Sequence, residues 1–303
     1  MIKHLVEEKG NYLTLIRNRK MGIPTGFPTL DKMLFGFNPA YYILAARPSV
    51  GKTALAMNMA VHSASCGKKV VFFSIEMPEI SFVERLVSML AGVSVSSIRD
   101  NTVPSDFQAD LDDIDSRIEA LNMYVDYASR HTPLSIAAQL DYLEQQKGFV
   151  PDIAFVDYIQ YMHPTSGAGM TPPVALAEIS RSIVQIIKDR QLPIVMLAQL
   201  NRGADEYTST GDRKMWVAKR PRLSDIKGSG NIEEDADVVL LLHRDDYHKE
   251  REDASYDADS TPVGNASIIV AKNRQGPCGS FNCTWLPDIF KFTEGVNTDD
   301  CPF

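Results

Sequence analysis

The stretch Tyr41-Tyr42-Ile43-Leu44-Ala45-Ala46-Arg47-Pro48-Ser49-Val50-Gly51-Lys52-Thr53 decides the fold. Its first part is an unbroken apolar run, the pattern of a strand buried on both faces. Its second part closes on Gly-Lys-Thr and opens a helix-like segment at 54–65. A strand that turns through such a loop into a helix is the setting of a P-loop. Backbone N–H groups of the loop and of the helix N-terminus converge there on phosphate oxygens, so anion binding is built into the geometry. On this reading Ala46, Arg47, Pro48, Ser49, Val50, Gly51, Lys52 and Thr53 surround the phosphates. Lys52 reaches the β- and γ-phosphates, and the Thr53 hydroxyl holds Mg²⁺. Ala46 stands where the general pattern has its first glycine.

Working outward, further apolar runs follow: Val70–Ser74, Ile153–Asp157, Pro193–Ala198, Val238–Leu242 and Ser267–Ala271. All are too uniformly apolar for half-exposed strands. Helix-like stretches separate several of them, at about 81–91, 105–120, 134–147 and 173–190. The alternation predicts an α/β fold with a mainly parallel central sheet, helices on both faces and ligands at the carboxyl ends of the strands. Gly167-Ala168-Gly169, followed by Pro172-Pro173, marks a loop between a strand and a helix.

Three of these strands end in a polar residue with a chemical use. Asp157 closes Ile153–Val156, where a Walker B acid organises Mg²⁺; a turn or helix cap is the plainer reading. Glu76 follows Phe72-Phe73-Ser74-Ile75, a position from which a carboxylate orients and deprotonates an attacking water. A surface carboxylate after a strand is its alternative. Gln199 ends Val195–Ala198, where an uncharged donor could sense the γ-phosphate. With the P-loop, four polar groups close buried strands, which packing alone does not explain.

The bulk properties set bounds on this reading. The chain has 303 residues, which suits one large α/β domain or two small ones. Its net charge of −8 excludes a coat of DNA-binding charge but allows a local basic surface. The charge is uneven. Residues 201–222 carry six basic side chains against three acidic, a candidate anion-facing loop, whereas 244–259 carry three basic against seven acidic. Cys66, Cys278, Cys283 and Cys301 form no CxxC pair, so no metal site is assigned to them. No apolar run is long enough to span a bilayer, and the acidic start of the chain does not fit a signal peptide, so a cytoplasmic protein is expected. Residues 1–21 read as a separable segment with an apolar stripe of Ile2, Leu5, Val6, Leu13 and Ile16, 22–295 as the main domain and 296–303 as a tail.

The segments Ala45–Thr53, Phe73–Pro78, Val156–Gln160, Ala198–Arg202 and Leu223–Asp237 together resemble the DnaB-type replicative helicase family, over nearly the whole chain from Gly22 to about Phe292. Alanine at position 46 is usual in that family. The resemblance implies a RecA-like P-loop NTPase that hydrolyses ATP, and a homohexameric ring around single-stranded DNA moving 5′→3′. It also implies nucleotide sites between subunits and partners such as a primase or helicase loader. The family's basic pair, which reaches the neighbour's γ-phosphate, is matched by Lys272 and Arg274. The resemblance further implies DNA contacts from the segment Lys227-Gly228-Ser229-Gly230. There the family's usual Arg-Glu pair is replaced by Lys227-Gly228, which keeps a charge but loses bidentate geometry. Arg202, Arg213, Lys214 and Lys219 could add phosphate contacts from the preceding loop.

Bacterial members carry an additional N-terminal domain. About 21 residues precede the motor here, as in a minimal phage- or plasmid-type version or an excised motor domain. Two other readings stay open: a RecA-like DNA-binding or recombination ATPase, and a helicase-derived remodelling ATPase without unwinding.

Overall fold

The computed structural model describes residues 20–166, 170–201, 207–210, 213–216, 220–226, 229–244 and 264–294. Eleven strands are present among them: β1 (Tyr41–Ala46), β2 (Val70–Ser74), β3 (Met123–Asp126), β4 (Ile153–Asp157), β5 (Ile194–Gln199), β6 (Tyr207–Thr210), β7 (Arg213–Trp216), β8 (Val238–Arg244), β9 (Gly264–Asn273), β10 (Gly279–Leu286) and β11 (Lys291–Glu294). Nine form one sheet in the order β11-β10-β9-β8-β1-β5-β4-β2-β3, and β6 and β7 form a separate antiparallel pair. The six strands from β8 to β3 are mutually parallel. β9, β10 and β11 extend the sheet antiparallel beyond β8.

The apolar runs belong to strands covered on both faces. In β1 every residue is buried. Tyr42, Leu44 and Ala46 pack into one core, and Tyr41, Ile43 and Ala45 into the other. Alternation of side chains is therefore present, but both faces are dry and the sequence shows no polar beat. On the first face lie helices α1 (Pro28–Leu34), α2 (Lys52–Ser65) and α3 (Glu79–Ala91), packed over an aromatic cluster. Phe72 stacks on Phe155 at 5.9 Å and meets Phe82 edge-on at 5.2 Å. Each such fully buried ring contributes roughly 1.5–3 kcal/mol of transfer free energy. On the second face lie α7 (Pro133–Lys147), α8 (Pro172–Arg190) and α9 (Ser229–Asp235), carrying Ile136, Leu140, Ile179, Ile183 and Ile232. The start of α7 is fixed by Thr132, whose hydroxyl accepts the Ser135 N–H while Ser135 Oγ accepts the Thr132 N–H.

Two expectations change. The helix expected at 105–120 is broken at Asp113 into α5 (Ser105–Asp112) and α6 (Ile114–Glu119), neither of which buries a residue. Leu111, Ile114 and Ile118 are only half-buried, so little apolar contact holds one continuous rod. A further short helix, α4 (Val95–Arg99), precedes them. The run Ser267–Ala271 is a buried strand, but in β9 it runs antiparallel to β8. Apolar patterning reports burial and not direction, and this reversal moves Lys272 and Arg274 to the opposite end of the sheet from the P-loop.

Candidate nucleotide-binding site

The carboxyl ends of β1, β5, β4 and β2 lie side by side and carry the four groups singled out in the sequence. Ala46 pairs with Gln199, and Ser74 with Asp157. After Ala46 the loop turns through Ser49, at φ +63°, and Gly51, at φ +109°. Gly51 is the N-cap of α2 and the helix has no side-chain cap there, which leaves its first-turn N–H groups to a ligand. Glycine is required at 51 on two counts. The backbone is left-handed, and a Cβ would stand 3.0 Å from Phe292 Cζ. Phe292 is itself buried against Trp285, with ring centroids 4.3 Å apart. The antiparallel extension thus forms the floor beneath the P-loop. Asn58 fastens that floor to α2: its Nδ2 donates to Phe290 O at 2.9 Å and its Oδ1 accepts Phe292 N–H at 2.9 Å.

Asp157 is 1% exposed. Its Oδ2 accepts from Thr53 Oγ1 at 2.5 Å, and its Oδ1 lies 3.5 Å from Lys52 Nζ with no hydrogen-bond partner. Lys52 Nζ also sits 3.9 Å from the centre of the Tyr158 ring. Burial pushes the Lys52 pKa down, while Asp157 and Glu76 oppose that shift. Glu76 is exposed at the mouth of the site. Partial desolvation and then the Asp157 charge raise its carboxyl above the ordinary glutamate range, and Lys52 and Arg85 pull it back. Gln160 braces the next strand end: its Oε1 accepts Gln199 N–H at 3.2 Å and its Nε2 donates to Gln199 O at 3.4 Å. Leu200 N–H in turn donates to Ala46 O at 3.0 Å, tying β5 to the start of the loop.

The sequence reading missed Arg85 and Tyr158. Arg85 stands on α3 over the Phe290 ring at 5.0 Å and is electrostatically coupled to both Asp157 and Glu76. A clue was present: Phe82, Arg85, Leu86 and Met89 follow i, i+3, i+4, i+7 spacing, which puts an arginine on the stripe that faces the core. Tyr158 directly follows Asp157 and is 8% exposed, and burial pushes its hydroxyl pKa up.

Lys272 and Arg274 are not brought to this site. Asn273 pairs with Val238, which starts β8, whereas Ala46 pairs with Leu242 four residues further on. Arg274 therefore lies more than about 13 Å along the strands from the P-loop of its own chain. Lys272 Nζ donates to Glu233 O at 2.5 Å and Glu234 O at 3.3 Å. Arg274 donates to Glu234 O at 2.5 Å and to Asp237 Oδ1 at 3.0 Å. Of the residues expected to meet DNA, Arg202, Lys219, Lys227 and Gly228 lie outside the described residues. Arg213 and Lys214 start β7 and Gly230 lies in α9, and their backbones alone are described. The loop at 167–169, the segment 1–19 and the tail from 295 also lie outside them.

A strand-loop-helix phosphate cradle, a buried acid beside the loop's Thr and a carboxylate just past the neighbouring strand define a P-loop nucleotide-binding protein. The chain belongs to the DnaB-like helicase C-terminal domain family, which it matches over residues 22–294. It is 31% identical over 296 residues to the replicative DNA helicase DnaC of Bacillus subtilis, covering 96% of this chain and 61% of that protein. Replicative DNA helicase DnaB of Haemophilus influenzae is 35% identical, with 90% of this chain and 55% of that protein covered. Among solved structures, an ATPase domain superposes with a TM-score of 0.81 at 25% identity, covering 97% of this chain and 99% of that one. A DnaB-like replicative helicase, described with its interactions with primase, gives 0.80 at 25% identity over 97% of this chain and 68% of that one. The chain thus spans little more than half the length of the curated relatives. Among the described residues no helix is long and apolar enough to cross a membrane.

Proposed function

We propose that this chain is the motor of a replicative DNA helicase. It hydrolyses ATP with Mg²⁺ and moves 5′→3′ along single-stranded DNA as a hexameric ring in the cytoplasm. The observation that carries the reading is the opposed placement of two half-sites. The P-loop, Asp157, Glu76 and Gln199 occupy one end of the sheet, and Lys272 with Arg274 the other. A chain built this way cannot bring its own Arg274 to its own phosphates, but a neighbour's can complete the site. Repeating that head-to-tail contact gives a ring where the rotation between neighbours closes and a filament where it does not; in the proposed hexamer it closes after six copies. A cation delivered only when the interface closes couples hydrolysis to subunit movement.

Within one protomer the residues divide the work. Uncapped N–H groups of α2 and Lys52 hold the β- and γ-phosphates. Thr53 and Asp157 suit a divalent cation, since a hydroxyl and a buried carboxylate with one unsatisfied oxygen adjoin there. The cation, once bound, neutralises charge on the phosphate oxygens. Glu76 takes the proton of the attacking water, and its raised pKa brings it nearer the working pH of a base. Arg85 draws that pKa back down from the α3 side, less strongly than Lys52 does, and Gln199 reports the γ-phosphate to β5. Arg202, Arg213, Lys214, Lys219, Lys227, Gly228 and Gly230 supply backbone-directed, salt-sensitive DNA contacts. A primase or helicase loader is the expected protein partner. The recombination and remodelling alternatives draw no support from a family match that spans 22–294.

Mixing tests the shared site. Arg274→Ala and Lys52→Ala rings should each lose roughly 10³-fold or more in ATP turnover. Mixed rings contain interfaces with both an intact Lys52 and an intact Arg274, so activity should partly return. Full activity of Arg274→Ala alone would remove the finger assignment.

A further inference from the structure

We infer that Asp237 is a positioning residue for the finger arginine, acting on the neighbour's nucleotide site and not on its own. The inference rests on the reading of Arg274 as a finger supplied in trans.

Four contacts converge on Asp237, and together they form a bracket between the start of β1 and Arg274. Its Oδ1 accepts from Arg274 Nη1 at 3.0 Å, while its Oδ2 accepts Tyr41 N–H at 3.0 Å. Its backbone O accepts Arg274 N–H at 2.9 Å, and its backbone N–H donates to Tyr41 O at 2.9 Å. The second guanidinium nitrogen of Arg274 is fixed separately on Glu234 O at 2.5 Å, at the last turn of α9. The Arg274 side chain is nevertheless half exposed, at 50%, against 29% for Asp237. The carboxylate therefore orients a guanidinium whose outer side still faces solvent.

An exposed ion pair of this kind adds little to stability, because water screens it and ordering a long side chain opposes it. Its geometric consequence is larger. An arginine without such a support samples many rotamers, whereas this one is held at both nitrogens before any neighbour arrives. Preorganising a charged donor for the charge that develops in a transition state lowers the barrier directly. A misplacement of about 1 Å can reduce turnover about 10²-fold. The bracket also joins Arg274 to the first residue of β1, the strand that ends in the chain's own P-loop. One rigid strand thus links the site a protomer binds with to the donor it offers next door.

Asp237→Asn keeps the shape and can still accept Tyr41 N–H, but it removes the charge that fixes Arg274. Turnover of Asp237→Asn rings should fall about 10- to 100-fold with KM for ATP nearly unchanged, as for a group that acts only in the transition state. The discriminating measurement is ATPase activity after mixing Asp237→Asn subunits with Lys52→Ala subunits. About one interface in four then pairs an intact Lys52 site with an intact Asp237–Arg274 donor. Recovery on mixing is the expected result, because the defect lies in the donor half. No recovery, while Arg274→Ala mixed with Lys52→Ala does recover, would overturn the inference and leave the finger standing: Asp237 would then serve its own β1. No recovery in either mixture would overturn the finger reading itself. Should Asp237→Asn not fold, Asp237→Glu carries the same experiment. It displaces the carboxylate by one methylene, and unchanged turnover there would also count against the inference.

Discussion

Gly51→Ala tests whether the antiparallel extension supports the P-loop. Two separate penalties arise at this position. At φ +109° an L-residue is strained, at about 1–3 kcal/mol. The new methyl would also stand 3.0 Å from Phe292 Cζ and 3.2 Å from Cε2, inside ordinary contact distance. The ring cannot retreat freely, being buried against Trp285 with its backbone N–H held by Asn58. Overpacking of that kind costs about 1–3 kcal/mol. The total is about 2–6 kcal/mol, to be read as a fall in the urea midpoint at constant m-value. Phe292→Leu shortens the offending side chain, so it should relieve the contact and leave the backbone strain. In the double mutant the losses should therefore sum to about 1–3 kcal/mol less than the two single losses added together. Strict additivity would show that Phe292 does not press on the loop. A wild-type midpoint for Gly51→Ala would refute both penalties, backbone strain included.

Two further outcomes follow from the electrostatics. Glu76→Gln should keep nucleotide affinity and lose about 10²–10⁴-fold in turnover, since binding does not need a base; hydrolysis at the wild-type rate would sink the assignment. Arg85→Ala removes one of the two cations that lower the Glu76 pKa. Glu76 works deprotonated and loses activity as pH falls through its pKa, so the acid limb of the kcat–pH profile should move to higher pH; a static or downward limb would mean that Arg85 does not sense Glu76.

The parallel half of the sheet was legible because β1, β2, β4, β5 and β8 are buried on both faces, which leaves an unmistakable apolar run in each. The placement of the P-loop, Asp157, Glu76 and Gln199 at or just past the strand ends was legible for the same reason: a polar residue that closes such a run is conspicuous. β3 was not, because Met123–Asp126 is a four-residue edge strand with no fully buried position. β10 begins with exposed Gly279 and Ser280 and buries only Cys283 and Trp285, so it resembled a loop. Overlooking β10 and β11 hid the aromatic floor under Gly51. The direction of β9 was hidden because an apolar run reads the same in either sense. That direction, and not the identity of Lys272 and Arg274, shows that the pair cannot serve its own phosphates. Arg85 is hard to read from the sequence because Phe82, Leu86 and Met89 alone account for an amphipathic helix, and a charge within their stripe leaves that pattern unchanged.

Strand displacement from a forked duplex with a free 5′ single-stranded tail tests the helicase reading most directly. The account predicts that the wild-type chain releases the partner strand only with hydrolysable ATP and Mg²⁺, and that Lys52→Ala and Arg274→Ala rings do not. It also predicts that release falls as salt is raised, since the DNA contacts are made to phosphates. Hydrolysis of ATP stimulated by single-stranded DNA, with no strand released from the fork, would contradict it and leave an ATPase that remodels something other than a duplex.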